Sequence, residues 1–407
     1  MKHSAFFLLS ALFVLGSCAE NTENRTCLDT EAWLDFSVSQ MDQALELLDA
    51  DEARIPRSIP PGEQGWSTTG IHGWTSGFWP GLLWFAYEAT DDEQWREHAH
   101  HWTMKLEPLR RWERINHDLG FMLNNSFGNG LRLTVNQDYV PVLIDGADLL
   151  MSLYNQTVGT IMSWPFALER YDGRHNTIVD NMINLEYLFW ASQTTGDPSY
   201  REAAINHARQ TARYAIRPDS STYHVILFNM ETGEFEDAVT HQGAFDESMW
   251  ARGQAWSIYG FTMTYRETGL DEFKQTARML ADKFIRELPD DLIPFWDFKA
   301  PNIPDEKRDA SAAAIAASGM LELSELVTDP ADREFYREKA VNMLTSLVNN
   351  YRSDGSNVAI LWHSVGNMNR GEDGGEVDEP IIYADYYFVE ALLRERALQQ
   401  KYPDFCR

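Results

Sequence analysis

The chain has 407 residues, 44% of them hydrophobic, and a formal net charge of −28. This negative charge argues against a nucleic acid as a partner, because phosphate binding needs clustered Lys and Arg. The hydrophobic fraction supports a full core, and three cysteines are too few for a metal cluster or a disulfide framework.

The first residues have the pattern of an export signal. Lys2 gives a short positive start, and an apolar run follows over residues 6–15. The run is too short to span a bilayer but matches the core of a signal peptide. It ends in LGSC at residues 15–18, where small residues precede a cysteine as at a bacterial lipoprotein cleavage site. An ordinary secretory signal with a chance cysteine is the alternative.

This pattern predicts a lipoprotein signal peptide over residues 1–17, lipidation of Cys18 and a tether over residues 18–28. The protein is then expected to be exported and membrane-anchored, periplasmic or at the cell surface, with the lipid as its only membrane contact. Cys27 and Cys406 lie near opposite ends of the chain and could pair in an oxidising compartment.

Internal repetition is the strongest structural signal. Four segments share an apolar helix, a turn and an amphipathic helix that starts near an aromatic residue. The segments are 81–101, 184–214, 255–284 and 312–347. Gly196 and Gly269 in two of the turns predict left-handed helix caps, and Asp or Thr is expected to cap the next helix.

Further helical segments bring the total to about six helix pairs. These segments are 31–49, 131–154 and 383–398. Repeated hairpins form an open solenoid or a closed toroid, and long loops rich in Trp, His, Asp and Gly favour an all-α toroid with its functional loops at one end. A β-hairpin is predicted within residues 223–239, and residues 29–407 are predicted to form one domain.

Two short motifs, NHDLGFM and VDNMINL, each place an aspartate in an apolar segment at the start of a helix. Asp118 and Asp180 could be helix N-caps or carboxylates that line a central cavity. Desolvation raises a carboxyl pKa, as a general acid at neutral pH requires, and we expect this of Asp180 with a second carboxylate nearby. A capping role would lower the pKa instead.

Two other motifs combine aromatic and polar groups. GWTSGFWPG places Trp74 before a helix, where its ring could form the floor of a sugar site or simply fill a buried turn. HQGAFDESMWARGQAW places Arg252 and Trp256 on one helical face. Arg252 could hold a carboxylate or a sulfate, or form a structural ion pair with Asp246.

Several other classes are excluded. The chain has no G-x-G-x-x-G or P-loop at a strand–helix junction and no G-x-S-x-G elbow. His100 and His101 lie on a charged helix with no third ligand suggested, so a metal site is not expected.

Together these segments resemble the unsaturated glucuronyl hydrolases of glycoside hydrolase family 88. The resemblance runs from about residue 29 to residue 398 and rests on five motifs in order, which are HDLGFM, DNMINLEYLFWAS, HQGAFDESMWARGQAW, DASAAAIAASG and IYADYYFVEAL. It implies an (α/α)6 toroid, no cofactor, and substrates made by polysaccharide lyases, which leave a C4=C5 double bond in a terminal uronic acid. It also implies that Asp118 and Asp180 are catalytic, with Asp180 expected to donate the proton.

The resemblance further implies a set of substrate-contacting residues. They are Trp74, His117, Trp164, His224, Gln242, Arg252 and Trp256, with Thr240 expected to face the sugar next to the bond that breaks. Asn367 and Arg370 lie in the loop 362–370, which is expected to contact that neighbouring sugar and any sulfate on it.

The predicted function is therefore removal of the terminal 4,5-unsaturated uronic acid from lyase-generated oligosaccharides by hydration of the vinyl ether. An acidic surface suits salty media and favours an ulvan-type substrate, glucuronyl-rhamnose 3-sulfate, slightly over a glycosaminoglycan. An unsaturated galacturonyl-rhamnose hydrolase and a non-catalytic glycan-binding lipoprotein are the alternatives.

Overall fold

The computed structural model describes residues 27–48, 54–371 and 374–403. The predicted signal peptide, the predicted lipidation site Cys18 and Cys406 lie outside these residues. Cys27 is disulfide-bonded. The division into signal peptide, tether and catalytic domain therefore stays a prediction.

Helices dominate the described chain. They are α1 (Thr30–Leu47), α2 (Phe78–Thr90), α3 (Glu93–Met104), α4 (Leu119–Leu123), α5 (Asn129–Thr134), α6 (Val140–Met151), α7 (Leu185–Thr195), α8 (Pro198–Tyr214), α9 (Ala251–Thr268), α10 (Asp271–Glu287), α11 (Ala310–Leu326), α12 (Pro330–Ser346) and α13 (Ile382–Lys401). A π-helical turn, Asn124–Gly128, joins α4 and α5 into one rod.

The strands are short and lie in the loops between helices. They are β1 (Arg54–Pro56), β2 (Thr68–Gly70), β3 (Tyr154–Asn155), β4 (Thr160–Ile161), β5 (His175–Ile178), β6 (Val225–Phe228), β7 (Phe235–Val239), β8 (Ser364–Val365) and β9 (Val377–Glu379). All pairings are antiparallel: β1 with β2, β3 with β4, β5–β6–β7 in one sheet, and β8 with β9.

The helices form two concentric rings. The inner ring consists of α2, the α4–α5 rod, α7, α9, α11 and α13, each packed against the next, and α13 packs against α2 to close the ring. The outer helices α1, α3, α6, α8, α10 and α12 each contact two neighbouring inner helices. The predicted (α/α)6 toroid is confirmed.

The inner helices run in the same direction, because each outer helix carries the chain back along the axis before the next inner helix starts. The residues just before the inner helices therefore meet at one end of the toroid. At the opposite end, Arg266 and Arg394 form ion pairs with Glu322 and link α9 and α13 to α11.

Burial distinguishes the two rings. The inner helices α9 and α11 are buried along most of their length, and residues 310–317 of α11 are mostly alanine. A Cβ on Gly319 would lie 3.0 Å from the backbone of Tyr259, so this helix contact depends on small side chains. The outer helix α10 buries a single stripe, which includes Phe273, Leu280 and Phe284.

The predicted glycine caps are confirmed, whereas the predicted Asp or Thr cap fails for α10, whose N-cap is Leu270 with no side-chain hydrogen bond. Gly196 and Gly269 have φ values of 78° and 67° and end α7 and α9. Asp197 caps α8 by accepting the Ser199 N–H at 2.8 Å. The hairpin predicted within residues 223–239 is the pair β6–β7. The third strand, β5, was not predicted, because three of its four buried residues are polar and its sequence therefore has no apolar strand pattern.

A buried carboxylate positions the loop that leads to β8. Asp385 on α13 accepts the backbone N–H groups of Ile360 and Leu361, both at 2.9 Å. The loop that follows is thereby tied to the inner ring. No helix of the described chain combines the length and the apolar character needed to cross a membrane.

Candidate active site

A cavity of about 420 Å³ lies at the end of the toroid where the inner helices begin. Its walls come from the segments before α2, α4, α7 and α13 and from the first turns of α9. Helix N-termini carry partial positive charge, so this position favours a negatively charged ligand. Gly77 permits the close packing beneath the cavity, because a Cβ there would lie 2.4 Å from the carbonyl oxygen of Met122.

Most of the predicted site residues meet in this cavity. Those that line it are Trp74, His117, Asp118, Trp164, Asp180, Gln242, Arg252, Trp256, Asn367 and Arg370. His224 and Thr240 are not among the lining residues. Thr240 Oγ1 accepts the backbone N–H of Gly243 at 2.8 Å, so its hydroxyl supports the loop before α9.

His224 stands behind Asp180 instead of lining the cavity. Its Nδ1 accepts the backbone N–H groups of His241 and Gln242, at 3.2 and 3.1 Å. The ring proton therefore lies on Nε2, which is 3.5 Å from Asp180 Oδ1. This distance is longer than an ordinary hydrogen bond, so the contact is mainly an electrostatic attraction.

Asp118 immediately precedes α4, but its side chain does not cap the helix. Its Oδ1 lies 3.2 Å from Nε2 of His117. The Asn184 amide donates to Nδ1 of His117 at 3.4 Å and accepts the backbone N–H of Phe121 at 2.7 Å. Because Nδ1 of His117 accepts this hydrogen bond, the ring proton lies on Nε2, which faces Asp118.

Asp180 lies in the 3₁₀ segment Val179–Asn184, which leads into α7. The N-cap residue of that segment is Ile178, so Asp180 is not a cap. The capping alternative fails for both aspartates. Each carboxyl group instead faces a histidine Nε2.

The two carboxyl groups have opposite pKa shifts. Burial and the negative charge of Asp180 raise the pKa of Asp118 to about 8. Burial acts on Asp180 too, but its contacts with His224, His117 and Arg252 outweigh burial and hold the pKa of Asp180 below its usual value. The expectation that Asp180 has the raised pKa is therefore wrong, because His224 and the guanidinium of Arg252 stabilise the ionised form of Asp180 and not that of Asp118.

Arg252 is buried and pairs with Asp309, not with Asp246 as one alternative predicted. Its Nη1 lies 3.0 Å from Asp309 Oδ2 and also donates to the carbonyl oxygen of Val365. Its Nη2 donates to the carbonyl oxygen of Gly366 at 2.7 Å. A guanidinium has five N–H groups, so the Nε–H and one Nη2–H are left for a ligand.

Several buried polar atoms at the cavity have no well-aligned hydrogen bond within the described chain. Among the described residues that line it, these atoms are Nε2 of His117, Oδ1 of Asp180, Nδ1 of His241 and Nε1 of Trp256. Buried polar groups are normally satisfied, so the cluster indicates a ligand that both donates and accepts hydrogen bonds. No group of three or more His, Cys, Asp or Glu side chains in the described ranges could hold a metal ion.

Several lining residues are not among the site residues predicted from the sequence. His241 packs edge-on against Trp164, with 5.1 Å between ring centroids. Burial, His224 and two nearby arginines lower the pKa of His241 to about 4, so its ring is neutral at neutral pH. Those arginines, Arg170 and Arg370, are exposed, and within the described chain no ion pair holds either. His241 begins the motif HQGAFDESMWARGQAW and could have been recognised there, whereas the sequence around Arg170 contains no motif that indicates a functional site.

Comparisons with known proteins agree with this site. Residues 52–390 match the family model described as Glycosyl Hydrolase Family 88. The chain is similar to the unsaturated glucuronyl hydrolase of Formosa agariphila, with 41% identity over 328 residues that cover 80% of each chain.

Solved structures are also similar. One is an unsaturated glucuronyl hydrolase specific for heparin, with a TM-score of 0.84 and 37% identity over 91% of this chain and 98% of the other. Another contains dGlcA-Glc-Rha-Glc and matches with a TM-score of 0.83 and 33% identity, over 89% of this chain and 96% of the other.

Asp118→Asn should remove a pH dependence of stability. In the wild type the folded pKa of about 8 exceeds the ordinary value of 3.8, so the contribution of Asp118 to the free energy of unfolding falls as the pH rises between these values. The variant has no such titration, so its stability relative to the wild type should rise over this range and then stay constant. Urea unfolding at a series of pH values measures this difference. A difference that is the same at about pH 5 and pH 9 would contradict the raised pKa.

Proposed function

The chain belongs to Glycosyl Hydrolase Family 88, and from this premise we infer how its cavity removes an unsaturated uronic acid from an oligosaccharide. The protein is an unsaturated glucuronyl hydrolase that acts on unsaturated uronides, as its family and its 41% identical relative indicate. The observation that carries the proposed mechanism is the pair of carboxyl groups in one cavity, of which one has a pKa above neutral.

The reactive group of such a substrate is a vinyl ether, in which the C4=C5 bond is joined to the ring oxygen. Protonation of C4 leaves a cation at C5 that the ring oxygen stabilises. Water adds to C5 and loses a proton, and the hemiketal opens by breaking the bond between C5 and the ring oxygen. The hemiacetal at C1 then releases the neighbouring sugar. The acid therefore acts on carbon, whereas most glycosidases protonate the glycosidic oxygen.

We assign the proton transfers to Asp180, with Asp118 as its partner. Before substrate binds, Asp118 holds the one proton of the pair. The uronate carboxylate adds negative charge and excludes water, and both effects raise the pKa of Asp180 and draw the proton to it. Asp180 then protonates C4 and accepts a proton from the attacking water, while the Nε2–H of His224 orients its carboxylate.

The cavity is matched to an anionic sugar. The N-termini of the inner helices surround it, and Arg252 keeps two N–H groups for a carboxylate. Trp74 and Trp164 present half-buried rings against which sugar faces can lie. The indole N–H of Trp256 has no hydrogen-bond partner among the described residues and can donate to a sugar hydroxyl.

Asp180→Asn should lower kcat by about 10²- to 10⁴-fold, because asparagine cannot transfer the proton. Turnover is followed as the loss of absorbance of the C4=C5 bond in a lyase-generated disaccharide. Asp35→Asn, at an exposed position on α1, is the control and should keep wild-type turnover. Circular dichroism of both variants should match the wild type. An Asp180→Asn protein with wild-type kcat would refute the assignment.

We further propose that the preferred substrate is ulvan-type and ends in glucuronyl-rhamnose 3-sulfate. Arg370 lies in the loop expected to contact the neighbouring sugar. Arg170 lies near the same part of the cavity, because both arginines lower the pKa of His241. Guanidinium groups bind sulfate in a bidentate manner, so these exposed arginines suit a sulfated neighbour. The acidic composition also suits a salty medium. A glycosaminoglycan is the second candidate, because a structural relative is named as specific for heparin.

Initial rates on lyase digests of ulvan, heparin, chondroitin and hyaluronan separate these candidates. We expect the highest kcat/KM on the ulvan digest, and Arg370→Gln should lower it about tenfold by removing a charge-assisted contact. The same variant should leave the rate on unsulfated hyaluronan fragments unchanged relative to Arg213→Gln, an exposed control on α8. Preference for a glycosaminoglycan digest would replace the ulvan proposal. Activity confined to unsaturated galacturonyl-rhamnose would favour that class of hydrolase.

We propose that the protein is exported and anchored to a membrane by a lipid on Cys18. The support is the apolar run over residues 6–15 followed directly by LGSC. Cys18→Ser should abolish incorporation of a labelled fatty acid and move the protein from the membrane fraction to the aqueous fraction. Wild-type protein without label would contradict the anchor.

A further inference from the structure

We propose that a groove on the outer surface, continuous with the catalytic cavity, binds the sugars that follow the first acceptor residue of a longer anionic oligosaccharide. The groove has a volume of about 1110 Å³ and shares His72, Asn116 and Phe166 with the cavity. This inference rests on the proposed function, because the cavity must hold the unsaturated end of the chain.

Continuity of the backbone links the groove to the catalytic residues. Its floor includes residues 111–116, and the next two residues along the chain are His117 and Asp118. The cavity is small enough that a terminal sugar and its neighbour fill much of it. The remaining sugars of a longer chain must extend out of the cavity opening, where the three shared residues form the start of the groove.

The groove presents aromatic surface to solvent. Phe166 is 67% exposed although it lies between the two binding regions. Trp112 is partly exposed, and its ring lies 5.2 Å from that of His72. Apolar rings at the edge of an open groove are a suitable surface for the C–H faces of sugars.

The groove also carries positive charge in an otherwise acidic protein. Arg111 and Arg114 are exposed, and within the described ranges neither forms an ion pair. Their neighbour Arg110, by contrast, is paired with Glu107 and Asp145. Glu113 is the carboxylate that lines the same groove, so two guanidinium groups face a single negative charge. This balance suits a ligand with regularly spaced carboxylate or sulfate groups, such as the rest of the substrate chain.

The test is the affinity of unsaturated di-, tetra- and hexasaccharides from ulvan and heparin lyase digests. Calorimetry on the full-length Asp180→Asn protein measures binding without turnover. We expect the hexasaccharide to bind about tenfold more tightly than the disaccharide, the gain that two exposed ion pairs can supply. Adding Arg111→Gln and Arg114→Gln should remove most of this gain. The matched control adds Arg213→Gln and Arg286→Gln, two exposed arginines that line neither region, and should keep the gain.

Each outcome bears on a separate part of the proposal. Equal affinity for all lengths would overturn the groove as a binding site. If affinity still rises with oligosaccharide length in the Arg111→Gln/Arg114→Gln protein, the additional sugars bind elsewhere than in this groove. Turnover of the disaccharide by the wild type tests the proposed function independently, because that ligand is too short to reach along the groove.

Discussion

The common direction of the inner helices is the constraint on which the rest of the structure depends. Hairpins that alternate between an inner and an outer helix place every inner N-terminus at the same end of the axis. Side chains just before those helices, such as Asp118 and Asp180, therefore meet although they are far apart in sequence. The same geometry adds the partial positive charges of the helix ends, so a protein with a net charge of −28 can still attract an anion at one point.

The chemistry of the site comes from an asymmetry between two similar groups. Asp118 and Asp180 are both half-buried in the cavity wall, and each faces a histidine Nε2. Only Asp180 is also stabilised by Arg252, so the pair divides into one protonated and one ionised carboxyl group. A shared proton of this kind can move when an anionic substrate changes the local charge. The histidine tautomers are themselves set by backbone N–H groups and by Asn184, which makes the loops part of the acid–base apparatus.

The mouth of the cavity has a different character from its base. At the base Arg252 is fixed by Asp309 and two carbonyl oxygens, so it offers a rigid site for one charged group. At the mouth Arg170 and Arg370 are exposed, and the described chain supplies no ion-pair partner for them. A rigid base suits the terminal uronic acid, which is the same in all substrates of this kind. Exposed arginines on loops suit the neighbouring sugar, which differs between polysaccharides.

Sequence alone determined the helical repeats, the glycine caps at Gly196 and Gly269, and the two catalytic candidates, because these depend on local periodicity and on residues whose chemistry is unusual in their surroundings. It could not determine which aspartate holds the proton, that Arg252 pairs with Asp309, or that His224 stands behind Asp180. Nor could it identify Arg170 or the groove at Arg111 and Arg114 as functional, since the sequence around an exposed arginine does not show whether it binds a ligand. These properties depend on distances between segments that are remote in the chain, and only closure of the ring sets those distances.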